Sequence, residues 1–162
     1  IGMISTMING LILKDVFRAE GIKCNLLSAL HNSQLDTVKN SNIEKNEREG
    51  SYIIFVAGTG NQFFSTDTAA ILRGLQINAD IVWKASNIDG AYDKDPRKDS
   101  SAKKIEKISY IEAIEKKLGI MDLTAFALAE QYHLPIKIFD VTSKNALVRA
   151  ATAENFGSLG TN

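Results

Sequence analysis

The sequence predicts an α/β fold built on a mainly parallel sheet with helices on both faces. Three observations carry that prediction. The run Tyr52-Ile53-Ile54-Phe55-Val56-Ala57 has the length and β-branched content of a buried parallel strand. It is followed at once by the glycine turn Gly58-Thr59-Gly60-Asn61 and then by the helix-capping series Ser65-Thr66-Asp67. Strand-patterned and helix-patterned segments then alternate to the end of the chain, which is the signature of strands joined by helical crossovers.

Taken in order, Met3, Ile4, Met7, Ile8, Leu11 and Ile12 recur at helical spacing, so an apolar-faced helix is expected from Ile4 to Ala19, ended by Gly21. A strand follows at Ile22 to Leu27. The polar stretch from His31 to Gly50 has no strong pattern and reads as a solvated connection with at most a short helix. After the strand at 52–57, the capped helix runs to Ile77, a second buried strand covers Asp80 to Ala85, and a long polar loop extends from Ser86 to Lys107. Ser109-Tyr110-Ile111-Glu112 fits a capping box, in which hydroxyl and carboxylate each satisfy a backbone donor of the other's residue. It opens a helix from Tyr110 to Leu118 that stops at Gly119. Asp122 caps a further helix through Tyr132, Pro135 interrupts, and Ile136 to Phe139 reads as a strand. A short helix over 145–150 and a last strand over 158–161 complete a single domain, 1–162.

The bulk numbers narrow the function classes. A chain of 162 residues can bury roughly 68 to 70% of its unfolded surface, enough for a real core. The 19 basic and 19 acidic side chains cancel, so no footprint for nucleic acid is visible and an anionic ligand must be small and locally bound. Cys24, the single cysteine, lies in an alternating run with neither a disulfide partner nor metal-ligand spacing around it, and reads as a small buried hydrophobe. No stretch approaches the ~18 to 20 continuous apolar residues of a membrane span and no secretion signal opens the chain, so a cytoplasmic location without membrane contact is the expectation.

Ligands of open α/β sheets bind beyond the carboxyl ends of the strands, where helix N-termini offer amides to anions. Gly58 to Asp67, Lys84 to Asp95 and Gly119 to Asp122 meet that rule. The glycine turn is neither a Walker A loop, since the lysine and hydroxyl required after its glycines are absent, nor a dinucleotide fingerprint. Asp67 and Asp122 both stand where a carboxylate can act on phosphate or simply cap a helix, and spacing alone favours the cap. Asp89-Gly90 suits a turn, and Asp80 leads into a strand. Lys84 at a strand end is equally readable as a phosphate contact or a solvated lysine. His31 and His133 lack acid or nucleophile partners in sequence.

The string Gly58-Thr59-Gly60-Asn61-Gln62-Phe63-Phe64-Ser65-Thr66-Asp67 is far more specific, and with it the chain resembles bacterial UMP kinases of the amino-acid kinase superfamily. The resemblance extends through Thr68-Ala69-Ala70, Leu72-Arg73-Gly74, Lys84-Ala85, Asp89-Gly90, Tyr92, Asp95-Pro96, Met121-Asp122-Leu123 and Ala125-Phe126, and includes Met3 and Met7 to Leu11. It implies a three-layer sandwich and transfer of the ATP γ-phosphoryl group to UMP, in pyrimidine nucleotide biosynthesis, with Mg²⁺ accompanying ATP. By the same resemblance Thr59, Gly60, Asn61, Gln62, Phe63, Phe64, Ser65 and Thr66 bind UMP, and Ser86, Tyr92 and Asp95 contact ATP. Asp67 and Asp122 become the catalytic candidates, orienting a lysine or holding Mg²⁺ rather than forming a protein metal site. Gln62 stands where the family has proline, which removes a φ constraint from the loop. A hexameric homo-oligomer, with GTP and UTP as effectors, is implied as well.

The family's N-terminal portion carries a Lys-Leu-Ser-Gly segment, a Gly-Gly-Gly loop with a following arginine, and an aspartate ahead of the position of Gly2-Met3. This sequence opens on Ile1, directly into a helix, so the expectation is of a domain incomplete at its N-terminus and, as written, of little or no activity. Two competing readings are another phosphotransferase of the superfamily, against which the phenylalanine-containing segment argues, and a non-catalytic nucleotide-binding module.

Overall fold

A computed structural model describes residues 1–116, 118–153 and 155–162. Packing divides the chain into two compact units, Ile1–Ala69 and Ala70–Asn162.

The first unit opens with helix α1, Gly2–Ala19, which ends as its sequence requires. Gly21 takes φ +73°, its amide reaches Arg18 O at 3.1 Å, and the Ile22 amide reaches Phe17 O at 2.8 Å. These two bonds form a Schellman motif that satisfies the last carbonyls. The strands are β1, Cys24–Ser28, β2, Asp36–Thr37, and β3, Tyr52–Val56, in the order β2-β1-β3 with both neighbours parallel to β1. Register runs from Cys24↔Tyr52 to Ser28↔Val56. Cys24 is buried, as expected of a small hydrophobe.

Three expectations are corrected in this unit. The face of α1 that turns inward is Met3, Thr6, Met7, Gly10, Lys14 and Phe17, while Ile4, Ile8, Leu11 and Ile12 are exposed. Gly10 decides this, because a Cβ there would stand 2.3 Å from Val56 Cγ1; helix backbone lies directly against strand side chains. The 52–56 strand is not buried on both sides: it is the edge of its sheet, and Tyr52 is 66% exposed. The polar stretch holds a real helix, α2, Asn40–Arg48. Its hold on the sheet is Ile43, buried, and Asn46, whose Oδ1 accepts from Asn25 Nδ2 at 2.7 Å. One apolar and one amide contact are too few to give a pattern in the sequence.

Helix α3, Thr66–Gln76, carries the boundary between the units. The second unit contains β4, Val82–Ser86; β5, Ala91–Tyr92; β6, Lys104–Ile105; β7, Lys107–Ser109; α4, Tyr110–Glu115; α5, Leu123–Gln131; β8, Ile136–Asp140; α6, Ala146–Thr152; and β9, Ser158–Thr161. The main sheet has the order β4-β8-β9-β7, parallel at β4/β8 and β7/β9 and antiparallel at β8/β9; β5 and β6 pair as a separate antiparallel hairpin. The α/β class with a predominance of parallel pairs is therefore as the sequence predicts. The hairpin was hidden in the polar loop, and β7 at its end went unmarked, because two- and three-residue strands are too short for alternation to register. Helix α4 stops at Glu115 rather than Leu118.

The core of this unit joins Ile71, Ile108, Tyr110, Phe126, Ala129, Ile136 and Ile138. The Tyr110 hydroxyl, fully buried, lies 2.5 Å from the Leu134 carbonyl oxygen and 2.9 Å from that of Gly160, sharing one proton between two acceptors. The capping box holds on its hydroxyl side: Ser109 Oγ accepts from the Glu112 amide at 3.2 Å.

Candidate functional site

Both candidate clefts form where β3 and β4 end and the chain must turn. In the first unit the turn after β3 is dense in left-handed residues: Ala57, Gly58, Gly60 and Phe63 have φ of 66°, 62°, 81° and 69°. At Gly60 a Cβ would meet Ala29 O at 2.8 Å, so the residue after β1 presses on the turn and only glycine fits. For Ala57 the strain is offset by a bond its amide makes to Thr6 Oγ1 at 2.8 Å, while that hydroxyl donates to Met3 O at 2.7 Å. Thr59 Oγ1 accepts from the Asn61 amide at 3.1 Å, which folds the turn on itself. Ser65 Oγ then accepts from the Thr68 amide at 3.1 Å, the cap the sequence predicts.

The result is a cleft of about 370 Å³ lined by Gly58, Thr59, Asn61, Gln62, Phe63, Phe64, Ser65 and Thr66, together with Ile1, Gly2, Met3 and Thr6 from the start of α1. No residue of this lining carries a charged side chain; it offers hydroxyls, amides and two aromatic rings. Phe63 is fully exposed and Phe64 half so, available to cover a flat ligand. Asp67 sits half-buried in the first turn of α3. Of the predicted segment, Gly60 is the one member that supports the cleft from behind instead of lining it.

The second unit holds another cleft, of about 420 Å³, lined by Ile88, Gly90, Tyr92 to Arg97, Lys116 and Leu118 to Ile120. Tyr92 and Asp95 both line this cleft, and Ser86 is not in its lining; it ends β4 opposite Asp140, its carbonyl accepting from the Val141 amide at 2.9 Å. Asp95 is held by its own turn, Oδ1 accepting from the Arg97 amide at 3.0 Å. The Tyr92 hydroxyl donates to Asp89 Oδ1 at 2.7 Å, and the Lys104 ammonium sits 2.9 Å from Asp89 Oδ2. Partial burial pushes the Asp89 carboxyl up, but the bonds from Lys104 and Tyr92 outweigh it and hold the group below the usual carboxylate range. The same bond to Asp89 raises the Tyr92 phenol. Lys94, Arg97 and Lys116 supply positive charge, the first beside Asp99 at 2.6 Å and the last beside Glu112. Sequence reading passed over Lys94, Arg97 and Lys116 because charged residues in a polar loop look like a solvated surface.

Asp122 is the N-cap of α5: Oδ1 accepts from the Ala125 amide at 3.0 Å. The Lys84 ammonium is partly buried and donates to Ile120 O at 2.6 Å, tethering the turn that borders the second cleft. Among the described residues no three His, Cys, Asp or Glu side chains gather as a metal-binding group. None of the described helices is long and apolar enough to cross a membrane.

Parallel strands ending on a glycine turn and a capped helix define an α/β protein of the kind that holds small ligands beyond its strand ends. Comparison with known proteins makes that class specific. The profile of the amino acid kinase family matches residues 1–140, and the chain belongs to that family. It is 42% identical over 158 residues to a uridylate kinase of a Psychrobacter species, covering 97% of this chain and 66% of that protein. A uridylate kinase of Alcanivorax borkumensis is 42% identical over 159 residues, covering 98% and 63%. The chain thus spans about two thirds of the length of these curated relatives. Among solved structures, a UMP kinase from Ureaplasma parvum superposes with a TM-score of 0.93 at 29% identity, covering 99% of this chain and 69% of its own. A UMP kinase from Bacillus anthracis gives 0.93 at 26%, covering 99% and 67%.

Proposed function

We propose that the protein to which this chain belongs is a UMP kinase, transferring the ATP γ-phosphoryl group to UMP in pyrimidine nucleotide biosynthesis. The observation that carries the reading is the first cleft: its lining is uncharged, rich in hydroxyls and amides, and flanked by two phenylalanines. Such a surface suits a neutral planar base, read at its edge by hydrogen bonds and covered on its face by a ring. A pocket whose side chains carry no charge favours uracil, which presents two carbonyls and one N–H, when amide and hydroxyl groups can supply complementary partners. The amides at the start of the 11-residue α3 favour an anion nearby.

The second cleft is assigned to ATP on different grounds. Tyr92 offers an aromatic face, and Lys94, Arg97 and Lys116, in a lining that also holds Asp93 and Asp95, offer positive charge to phosphates. Phosphoryl transfer requires orientation and charge neutralisation more than covalent chemistry. Mg²⁺ carried on nucleotide phosphates needs only one or two protein carboxylates rather than a cage of ligands, and by family resemblance Asp67 and Asp122 are each a candidate for such a contact. When bound, it would neutralise charge on the phosphates. The reading carries with it a cytoplasmic homo-oligomer, a hexamer by family resemblance, with GTP and UTP as effectors; the exposed aliphatic side of α1 supports a subunit contact there.

Calorimetry of UMP binding, with CMP as control, tests the acceptor site. UMP is expected to bind at least about tenfold tighter than CMP, the value of one well-placed hydrogen bond to the base. Equal affinity for the two, or preference for CMP, removes the uracil reading. Asp122 separates its two roles by substitution. Asp122→Ala is expected to cost about 1 kcal/mol in urea denaturation, and Asp122→Asn only a few tenths because asparagine caps equally well. If Asp122→Asn also keeps full phosphoryl-transfer activity, the residue is a cap and nothing more.

A further inference from the structure

The wall of the second cleft is held by a side chain that arrives from far along the chain. Ala91 in β5 and Ile105 in β6 are register partners, and the Ser158 hydroxyl stands between them. Its oxygen accepts from the Ala91 amide at 2.8 Å, and its proton goes to Ile105 O at 2.5 Å. One hydroxyl therefore relays a hydrogen bond across the hairpin, using its donor and one lone pair at once. Ser158 and Ala91 are both buried, at 2% and 0% exposure, so water has no access to replace the relay. The approach is close enough to dictate its neighbour: a Cβ on Gly90 would stand 2.4 Å from Ser158 Oγ and 2.7 Å from Lys104 Cε. Ser158 itself opens β9, paired with Ile138 of β8, and the next amide, Leu159, donates to Glu106 O at 2.8 Å. The hairpin is thus bolted to the main sheet of its unit at the point where Gly90 and Tyr92 line the cleft.

We propose that Ser158 is a positioning residue for the cleft assigned to ATP: its hydroxyl fixes the backbone from Gly90 to Tyr92 and thereby sets nucleotide affinity without touching the nucleotide. The inference rests on the adenine-nucleotide reading of that cleft given above. Removing the hydroxyl takes an acceptor from the buried Ala91 amide and a donor from the Ile105 carbonyl. The backbone then shifts to find partners, and the Tyr92 ring moves with it.

The test compares the wild-type chain with Ser158→Ala and Ser158→Thr, titrating a non-hydrolysable ATP analogue and, separately, UMP, and following amide hydrogen exchange over residues 88–105. Ser158→Ala is expected to bind the analogue about tenfold more weakly, with UMP affinity within about twofold of wild type. Exchange at Ala91 and Tyr92 should accelerate, and Ser158→Thr, which keeps the hydroxyl, should restore both. A Ser158→Ala chain that binds the analogue as wild type does overturns the positioning role, and so does one that loses UMP and the analogue alike. Should Ser158→Ala fail to fold, Ser158→Cys, a weak donor of similar size, takes its place, and wild-type affinity in that variant overturns the role equally. A wild-type chain that binds UMP but no analogue removes the adenine reading of the cleft itself, an outcome distinct from an insensitive Ser158→Ala.

Discussion

Gly157→Ala is expected to destabilise the second unit by about 2–6 kcal/mol, the sum of a backbone strain of ~1–3 and an overpacking cost of similar size. Gly157 has φ +95°, a conformation L side chains rarely adopt, and a Cβ there would lie 2.2 Å from the Ile138 carbonyl oxygen. That oxygen belongs to β8 in the middle of the sheet and cannot move aside as a flexible side chain would. Trp83, in β4 of the same unit, is the single tryptophan, so its fluorescence in a urea titration reads this unit directly. Gly119→Ala is the control: nothing lies within 4 Å of its Cβ position, and its effect should stay within about 0.5 kcal/mol. Equal midpoints for the two variants would refute the account of Gly157.

Tyr110→Ala should cost about 3–5 kcal/mol through the cavity left in the core, and Tyr110→Phe about 1–3, because two buried carbonyls lose their shared donor. The phenol adds a pH signature. Burial pushes its pKa up to about 12, above the ordinary value of 10.0. A folded-state pKa raised in this way contributes stability that is fully present below pH 10 and lost as pH rises through about 12, since the unfolded chain ionises first. The loss is on the order of 2–3 kcal/mol, and Tyr110→Phe should abolish this component. Urea midpoints of the wild type and Tyr110→Phe between pH 9 and 12 decide it; parallel curves would mean the phenol is not buried as described.

The long elements were legible because each advertised itself locally. The 52–56 strand is continuous in β-branched and aromatic residues, α3 has its cap at Ser65, and Gly21 closes α1. What escaped was whatever depends on partners distant in sequence. The β5–β6 hairpin is braced by Ser158, 53 residues beyond Ile105, and no pattern in residues 91–105 announces that. Helix α2 looked like a loop because its hold is an asparagine pair, Asn25 with Asn46, and not an apolar stripe. The inward face of α1 was misjudged for a related reason: hydrophobic spacing marks which residues can be buried, while the closest approach is chosen by a residue with no side chain, Gly10. At the first cleft the specific string did identify the lining, whereas Gly60 holds its place through Ala29, a contact made across the turn after β1.

The pairing of β4 with β8 also orders events in time. Val82 finds its partner in Ile136, and Ser86 in Asp140, so the first strand of this sheet leaves the ribosome about fifty residues before the strand it pairs with. At ~5–20 residues per second, β4 waits for about three to ten seconds, during which α4 and α5 can form but the sheet cannot. For that interval a strand edge and Trp83 stand unpaired, a window in which a chaperone or a neighbouring nascent chain competes with β8 for the same backbone.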